Sequence, residues 1–170
     1  MEIIKCTAAD AEKIRDLSIK TYRQTFDEIN TKENMNAYLE EAYNLPKLIN
    51  ELNCKGTDFF AAVIDEKYTG YVKINEVPFQ SDINNDESSL ELERLYVLCD
   101  YHGKGVGRAL MEYVIDIAKK RGKSYIWLGV WERNERAKSF YKKYGYYRIG
   151  SHDFVMGDDV QTDYILRKDL

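Results

Sequence analysis

A glycine-rich segment at residues 102–107, His-Gly-Lys-Gly-Val-Gly, restricts the fold more than any other part of this chain of 170 residues. An apolar run at 90–98 precedes it, and apolar residues at helical spacing follow it over 106–121, so the glycines connect a strand to a helix. A further apolar run at 124–131 predicts another strand. A strand, a helix and a strand in succession favour two parallel strands with a right-handed crossover, which puts the glycine turn at the first strand's carboxyl end, where ligands bind.

The glycine turn has the properties of an anion site. A helix N-terminus presents unpaired N–H groups and a partial positive charge, and glycine lets the backbone approach a phosphate closely. A P-loop is excluded because Arg108 and Ala109 follow Gly107 and leave no hydroxyl for magnesium, and the third glycine of a dinucleotide motif is replaced by Arg108 or Leu110. The turn therefore predicts that the chain binds a phosphorylated cofactor. The alternative is that the glycines only form a tight connection and bind no ligand.

Composition limits the classes of protein that this chain can represent. Its length and 44% hydrophobic residues suit one domain over 1–170, and it has neither a long apolar run nor a signal-like N-terminus, so we expect a cytoplasmic protein without a membrane partner. Three cysteines and two histidines, widely spaced, predict neither a disulfide nor a metal site. The net charge of −4 argues against nucleic-acid binding and permits a cationic small molecule as partner.

The rest of the chain alternates strand and helix patterns, which predicts an α+β fold with a mixed sheet. Asp10 and Thr31 are candidate N-caps of two early helices, and Pro46 suits the first turn of a third. A helix over 134–144 ends before Gly145. The expected strands are 2–6, 58–64, 68–75, 90–98, 124–131, 147–156 and 163–168, with hairpins at 65–67 and 157–159.

Three segments, 92–97, 102–110 and 134–146, together resemble the GCN5-related N-acetyltransferases, or GNAT family. Four more, 25–28, 33–39, 126–132 and 156–163, look like its PaiA subgroup of bacterial spermidine/spermine N-acetyltransferases. The resemblance implies a GNAT fold with helices around a mixed central sheet, and a V-shaped splay between the fourth and fifth strands. It also implies acetyl transfer from acetyl-CoA to a primary amine of a polyamine, and a homodimer. His102 departs from the family's usual Gln or Arg at that position.

The resemblance also implies where acetyl-CoA binds. The backbone N–H groups of the glycine loop would hold its pyrophosphate, and the pantetheine arm would lie along the strand before the loop, where a backbone N–H would polarise the thioester carbonyl. Asn134 would cap a helix and contact the cofactor. The cofactor-binding residues expected are Leu95, Tyr96, Val97, Gly103, Lys104, Gly105, Val106, Gly107, Arg108, Asn134, Ala137 and Tyr141.

The acceptor amine is protonated near pH 7, so the reaction requires a proton acceptor. We expect Glu93 or a water chain in this role, with Glu91 on the same strand face holding a distant ammonium; a solvated strand face is the alternative. Tyr141 is the expected general acid for the departing thiolate, and Phe26 and Tyr38 are expected to line the acceptor pocket. Each of these aromatic residues could instead belong to the core.

Two other functions stay open at this point. Acetylation of a protein or peptide would use the same cofactor site with a more open groove. A noncatalytic CoA-binding regulatory protein would keep the fold and lose turnover. Direct transfer in a ternary complex is preferred to an acetyl-cysteine route through Cys99, because buried free cysteines are ordinarily small hydrophobic residues.

Overall fold

The structure is a computed structural model that describes residues 1–80, 86–156 and 159–170. The helices are α1 (Ala11–Phe26), α2 (Lys32–Ala42), α3 (Leu45–Asn53), α4 (Val106–Lys120) and α5 (Glu135–Lys143). The strands are β1 (Glu2–Lys5), β2 (Thr57–Ile64), β3 (Lys67–Asn75), β4 (Ser89–Val97), β5 (Tyr125–Trp131), β6 (Tyr147–Met156) and β7 (Asp159–Asp169).

These strands form one sheet in the order β1-β2-β3-β4-β5-β7-β6. Within the described residues β4 and β5 are its parallel pair, and α4 connects them, whereas the other neighbours are antiparallel. The predicted mixed α+β sheet and its crossover are therefore confirmed. The last strand begins at Asp159, four residues earlier than expected, and the turn expected at Gly157 and Asp158 lies outside the described residues.

The predicted helix starts agree with the capping chemistry in two of three early helices. Thr31 accepts a hydrogen bond from the Asn34 N–H, and Pro46 lies in the first turn of α3. Asp10 stands at the N-cap of α1 but makes no cap bond, because its carboxylate accepts the N–H of Thr7 at 2.9 Å. A short 3-10 turn therefore precedes α1.

Helices cover both faces of the sheet and create two apolar clusters. Helices α4 and α5 pack on one face, where Leu110, Val114 and Ile126 are fully buried. Helices α1, α2 and α3 pack on the other face, around Ile14 and Tyr71. No helix in the described part of the chain is both long and apolar enough to cross a membrane.

The parallel strands β4 and β5 separate soon after they begin. They pair only from Ser89 with Tyr125 to Glu91 with Trp127, and from Leu92 onward β4 has no register partner on β5. A bulge at Glu93 adds to the divergence, since Lys73 of β3 pairs with Arg94 and the next β3 residue pairs with Leu92. The expected splay between the fourth and fifth strands is confirmed, and it opens at the carboxyl end of β4.

Candidate active site

The glycine loop presents backbone donors at the start of α4. Gly103 and Gly105 have φ angles of +75° and +83°, in the left-handed region that favours glycine. The first intrahelical bond runs from the Ala109 N–H to the Gly105 carbonyl at 2.9 Å. The N–H groups of Val106, Gly107 and Arg108 precede it and have no intrahelical acceptor, so they are available to an anion, as a site of the kind expected from the sequence requires.

The end of β4 presents a second row of backbone groups. The Leu98 N–H donates to the Thr69 carbonyl of β3 at 2.9 Å, and antiparallel pairing alternates from there. The backbone of Tyr96 therefore faces β3, whereas the N–H and carbonyl groups of Leu95 and Val97 face the splay. This corrects one detail of the expected pantetheine site, because the Tyr96 backbone is not available to an extended ligand.

His102 connects the glycine loop to this strand. Its Nε2 lies 2.8 Å from the Val97 carbonyl oxygen and donates a hydrogen bond to it, which places the ring proton on that nitrogen. Burial lowers the pKa of His102, so the ring is neutral near pH 7. The carbonyl of Val97 is thereby occupied, and the Val97 N–H and both backbone groups of Leu95 remain as the groups that face the splay.

A cavity of about 740 Å³ lies between the glycine loop, β4 and α5. All the expected cofactor residues line it except Lys104 and Val106. The Val106 side chain is fully buried in the core, and the Lys104 ammonium lies 5.2 Å from the ring centroid of Tyr101. Further residues of its lining are Gln24, Thr25, Cys99, Tyr101, His102, Arg136, Ser139, Phe140 and Lys143.

Sequence reasoning missed two groups of these lining residues. Arg136, Phe140 and Lys143 recur at helical spacing on α5, so periodicity could have placed them together, and two of them are cations suited to phosphate. Nothing near Gln24 of α1 in the sequence predicts that it lines this cavity. Its position depends on a contact with a residue far away in sequence, since its Oε1 accepts a hydrogen bond from the Cys99 N–H at 3.0 Å.

Tyr141 and Asn134 occupy the positions on α5 that the sequence assigned to them. Asn134 caps the helix, since its side chain accepts the Ala137 N–H at 3.0 Å. Tyr141 lines the cavity with 8% of its surface exposed, and its ring lies 5.6 Å from that of Tyr146. Burial raises the pKa of the Tyr141 phenol, so its proton is retained at physiological pH, as a general acid requires.

Glu93 lies in a network of ion pairs. Its carboxylate contacts the Lys73 ammonium at 2.7 Å and the Arg94 guanidinium at 3.0 Å, and both cations also contact Glu51 of α3 at 3.2 Å. Burial by itself raises the pKa of Glu93, but Arg94 and Lys73 outweigh it, so the pKa lies below its ordinary value. These contacts do not favour the role of proton acceptor expected for Glu93.

Glu91 shares a strand face with Glu93, as expected. The Asn75 amide donates to Glu91 at 2.8 Å and to Glu93 at 2.5 Å, so both side chains meet one residue of β3. Glu91 is only 2% exposed, and an ammonium group in solution cannot reach it. The structure therefore corrects the expectation that Glu91 holds the substrate.

Phe26 and Tyr38 meet in one aromatic cluster beside the splay. The Tyr22 ring lies 4.5 Å from the Phe26 ring and 4.7 Å from the Tyr38 ring, and the Phe26 ring lies 6.1 Å from that of Trp131 at the end of β5. Neither residue belongs to the lining of the cavity described above. If they line an acceptor pocket, that pocket lies on the α1 and α2 side of the sheet.

The arrangement of glycine turn, splayed strand and cavity agrees with what comparison shows. A family model described as the acetyltransferase (GNAT) family matches residues 14–146. The chain belongs to the GNAT family. An uncharacterized N-acetyltransferase of Lactobacillus delbrueckii subsp. lactis is 35% identical over 170 residues, which cover 100% of this chain and 98% of that protein.

Two further matches, one of sequence and one of structure, extend over nearly the whole chain. The spermidine N(1)-acetyltransferase of Thermoplasma acidophilum is 26% identical over 172 residues, which cover 99% of this chain and 96% of that protein. The crystal structure of the PaiA N-acetyltransferase from the same species, in complex with coenzyme A, has a TM-score of 0.82 at 25% identity and covers 99% of this chain and 98% of that one.

The chain is thus an N-acetyltransferase of the GNAT family, and acetyl-CoA is its cosubstrate. The residues present fit this molecule, because the N-terminus of α4 supplies unpaired N–H groups for a pyrophosphate and the splay supplies backbone groups for an extended arm. Within the described residues, no three His, Cys, Asp or Glu side chains are grouped as metal ligands would be.

Proposed function

We propose that the chain transfers the acetyl group of acetyl-CoA to a primary amine of a polyamine such as spermidine or spermine, by direct attack in a ternary complex. The observation that carries this proposal is the likeness over nearly the whole chain to the spermidine N(1)-acetyltransferase of Thermoplasma acidophilum. The net charge of −4 is compatible with a polycationic substrate.

Acetyl-CoA supplies the activated acetyl thioester, and the residues of this chain hold it for attack. The N–H groups of Val106, Gly107 and Arg108 bind its pyrophosphate, with positive charge from Arg136 and Lys143. The N–H groups facing the splay, at Leu95 and Val97, are the donors for carbonyl groups of the bound arm. A donor of this kind aimed at developing oxyanion charge lowers a barrier by about 3 kcal/mol.

Three proton transfers accompany the reaction, because the nitrogen also loses a second proton as the amide forms. The amine has to lose a proton before attack, because an alkylammonium of pKa about 10 is almost entirely protonated near pH 7. The thiolate that leaves has to gain one, and we assign this step to Tyr141, whose phenol is protonated and lines the cavity. The aromatic faces of Phe26 and Trp131 provide a surface on which an ammonium group is attracted.

The experiment that tests this function measures thiol release from acetyl-CoA with a panel of acceptors: spermine, spermidine, a diamine, an aminoglycoside and a lysine peptide. Release that depends on the polyamines supports the proposal. Preference for the lysine peptide would instead make the chain a protein or peptide N-acetyltransferase. Tight binding of CoA without release to any acceptor would favour a noncatalytic, CoA-binding regulatory protein.

Two further expectations stay predictions. A homodimer is checked by light scattering of the purified chain, and a cytoplasmic location by fractionation of the cells that produce it.

A further inference from the structure

A histidine and an aspartate face each other on the last two strands of the sheet. His152 of β6 and Asp163 of β7 are register partners, and the His152 Nε2 lies 3.9 Å from the Asp163 Oδ2. Their side chains are 30% and 23% exposed, but the His152 Nδ1 is buried, so Nε2 is the ring nitrogen that a substrate can reach. The distance permits an ion pair whenever the imidazole is protonated.

This His152–Asp163 pair lies over an exposed glycine of β5. A Cβ placed on Gly129 would lie 3.7 Å from the Asp163 Oδ2 and 3.7 Å from the His152 Cε1. The absence of a side chain at Gly129 therefore leaves the pair open toward the surface of β5. Gly129 lies two residues beyond Trp127, the last β5 residue that pairs with β4, so it lies where the two strands have separated. The pair thus lies across the splay from the backbone groups of β4.

The surroundings of the pair are aromatic and suited to an amine. Trp131 is the β5 partner of Asp163, and the Phe26 ring contacts Trp131. Burial chiefly raises the pKa values of Tyr22 and Tyr38, and the negative charge of Asp163 raises them further.

Charged groups of β4 also act at this surface. Glu93 and Arg94 act with opposite sign on the Tyr38 phenol, and they are paired with each other. Their effects on a group across the splay therefore largely cancel. Asp163 adds negative charge on this side of the splay.

We propose that His152 accepts the proton of the acceptor amine and that Asp163 stabilises the imidazolium and attracts the ammonium group. The inference rests on the proposed transfer to an amine and names its proton acceptor. The ammonium nitrogen gives one proton to the His152 imidazole and attacks the thioester carbonyl as a neutral amine. The new C–N bond forms, the C–S bond breaks and the thiolate gains a proton from Tyr141. The second amine proton leaves to solvent as the amide forms, and the Tyr141 phenolate regains a proton from solvent. His152 then releases its proton to solvent.

The test compares His152→Gln, Asp163→Asn and a control, Asp153→Asn, an exposed neighbour on the same strand. We expect His152→Gln to lower kcat/KM for spermidine about 100-fold near pH 7. The deficit should shrink with rising pH, because the fraction of neutral amine in solution grows about tenfold per unit up to its pKa near 10. Asp163→Asn should raise the KM for the amine about tenfold, and all variants should bind CoA like the wild type.

A second variant tests the same surface without changing either member of the pair. The space at Gly129 accepts a methyl at ordinary contact distance, so Gly129→Ala should fold and partly cover the His152–Asp163 pair. We expect a higher KM for the amine with an unchanged KM for acetyl-CoA.

A deficit of His152→Gln that is equal at every pH, or an equal loss in Asp153→Asn, would overturn the assignment. If polyamines are not acceptors, the same variants are assayed with the amine that the acceptor panel identifies. In that event the polyamine proposal fails, while the role of His152 is still judged by its pH profile.

Discussion

Single alanine substitutions in the glycine loop distinguish two reasons for its glycines. One is a left-handed backbone conformation, and the other is space for a ligand to approach the backbone. A Cβ on Gly107 would lie 3.7 Å from a Val97 methyl and 3.9 Å from the Phe140 ring, both of which are ordinary contacts. A Cβ on Gly105 would touch nothing within 4 Å, but the φ angle there is +83°. The two substitutions should therefore change stability in opposite directions.

The expected sizes follow from the local geometry. Alanine in place of glycine favours a helix by up to about 1 kcal/mol, so Gly107→Ala should raise Tm by up to about 4 °C in a chain of this length. A left-handed alanine costs about 1–2 kcal/mol, so Gly105→Ala should lower Tm by about 2–8 °C. The methyl on Gly107 would stand between two residues that line the cavity, Val97 and Phe140. There the methyl should keep the pyrophosphate from one backbone N–H donor at the start of α4. Loss of one such charge-assisted hydrogen bond, about 1.5–3 kcal/mol, weakens CoA binding roughly ten- to a hundredfold.

Thermal unfolding and calorimetric titration with CoA measure the two effects on the same samples. Gly122→Ala is the matched control, because Gly122 has a φ angle of +68° at the opposite end of α4 and lies outside the lining of the cavity. It should lower Tm as Gly105→Ala does and leave CoA binding unchanged. A stable Gly107→Ala protein that binds CoA within about twofold of the wild type would refute the close approach of the ligand to this helix N-terminus.

Three other substitutions test the remaining groups of the site. Tyr141→Phe should lower kcat about 100-fold with CoA affinity unchanged in calorimetry, and an unchanged kcat would exclude it as the acid. Glu93→Gln should cost about 1–3 kcal/mol in urea unfolding near neutral pH, because it leaves partners of the carboxylate unsatisfied. Because the pKa of Glu93 is depressed in the fold, its contribution is present above about pH 4.3 and is lost as pH falls through the lower folded value, so the two proteins should converge in acid. Lys143→Gln should weaken CoA binding severalfold, and less so at high salt, whereas Lys142→Gln, an exposed neighbour outside the lining of the cavity, should not.

The glycine loop shows how much of the site was accessible to reasoning from sequence. Spacing alone placed a strand before Gly103 and a helix from Val106, and the structure begins α4 at that residue. The cap at Asn134 was equally predictable, because a capping side chain bonds to a backbone group only three residues away. Both features depend on chemistry within one turn of the chain.

The partners of Glu93 show where such reasoning ends. Lys73 lies on β3 and Glu51 on α3, and nothing near Glu93 in sequence indicates that either reaches it. The bulge in β4 and the packing of α3 on the sheet bring these charges together. A carboxylate that looked free on an alternating strand is therefore paired on two sides.

What the sequence by itself determined is the alternation of strands and helices, the glycine turn at the end of β4 and the residues that cap the helices. Periodicity, backbone conformation and capping act over a few residues, so they can be read along the chain. Only the tertiary structure decided which carboxylates are paired, that Gln24 lines the cavity beside the glycine loop, and that His152 and Asp163 lie over Gly129. These contacts depend on strand register and helix packing, which join residues that are distant in sequence.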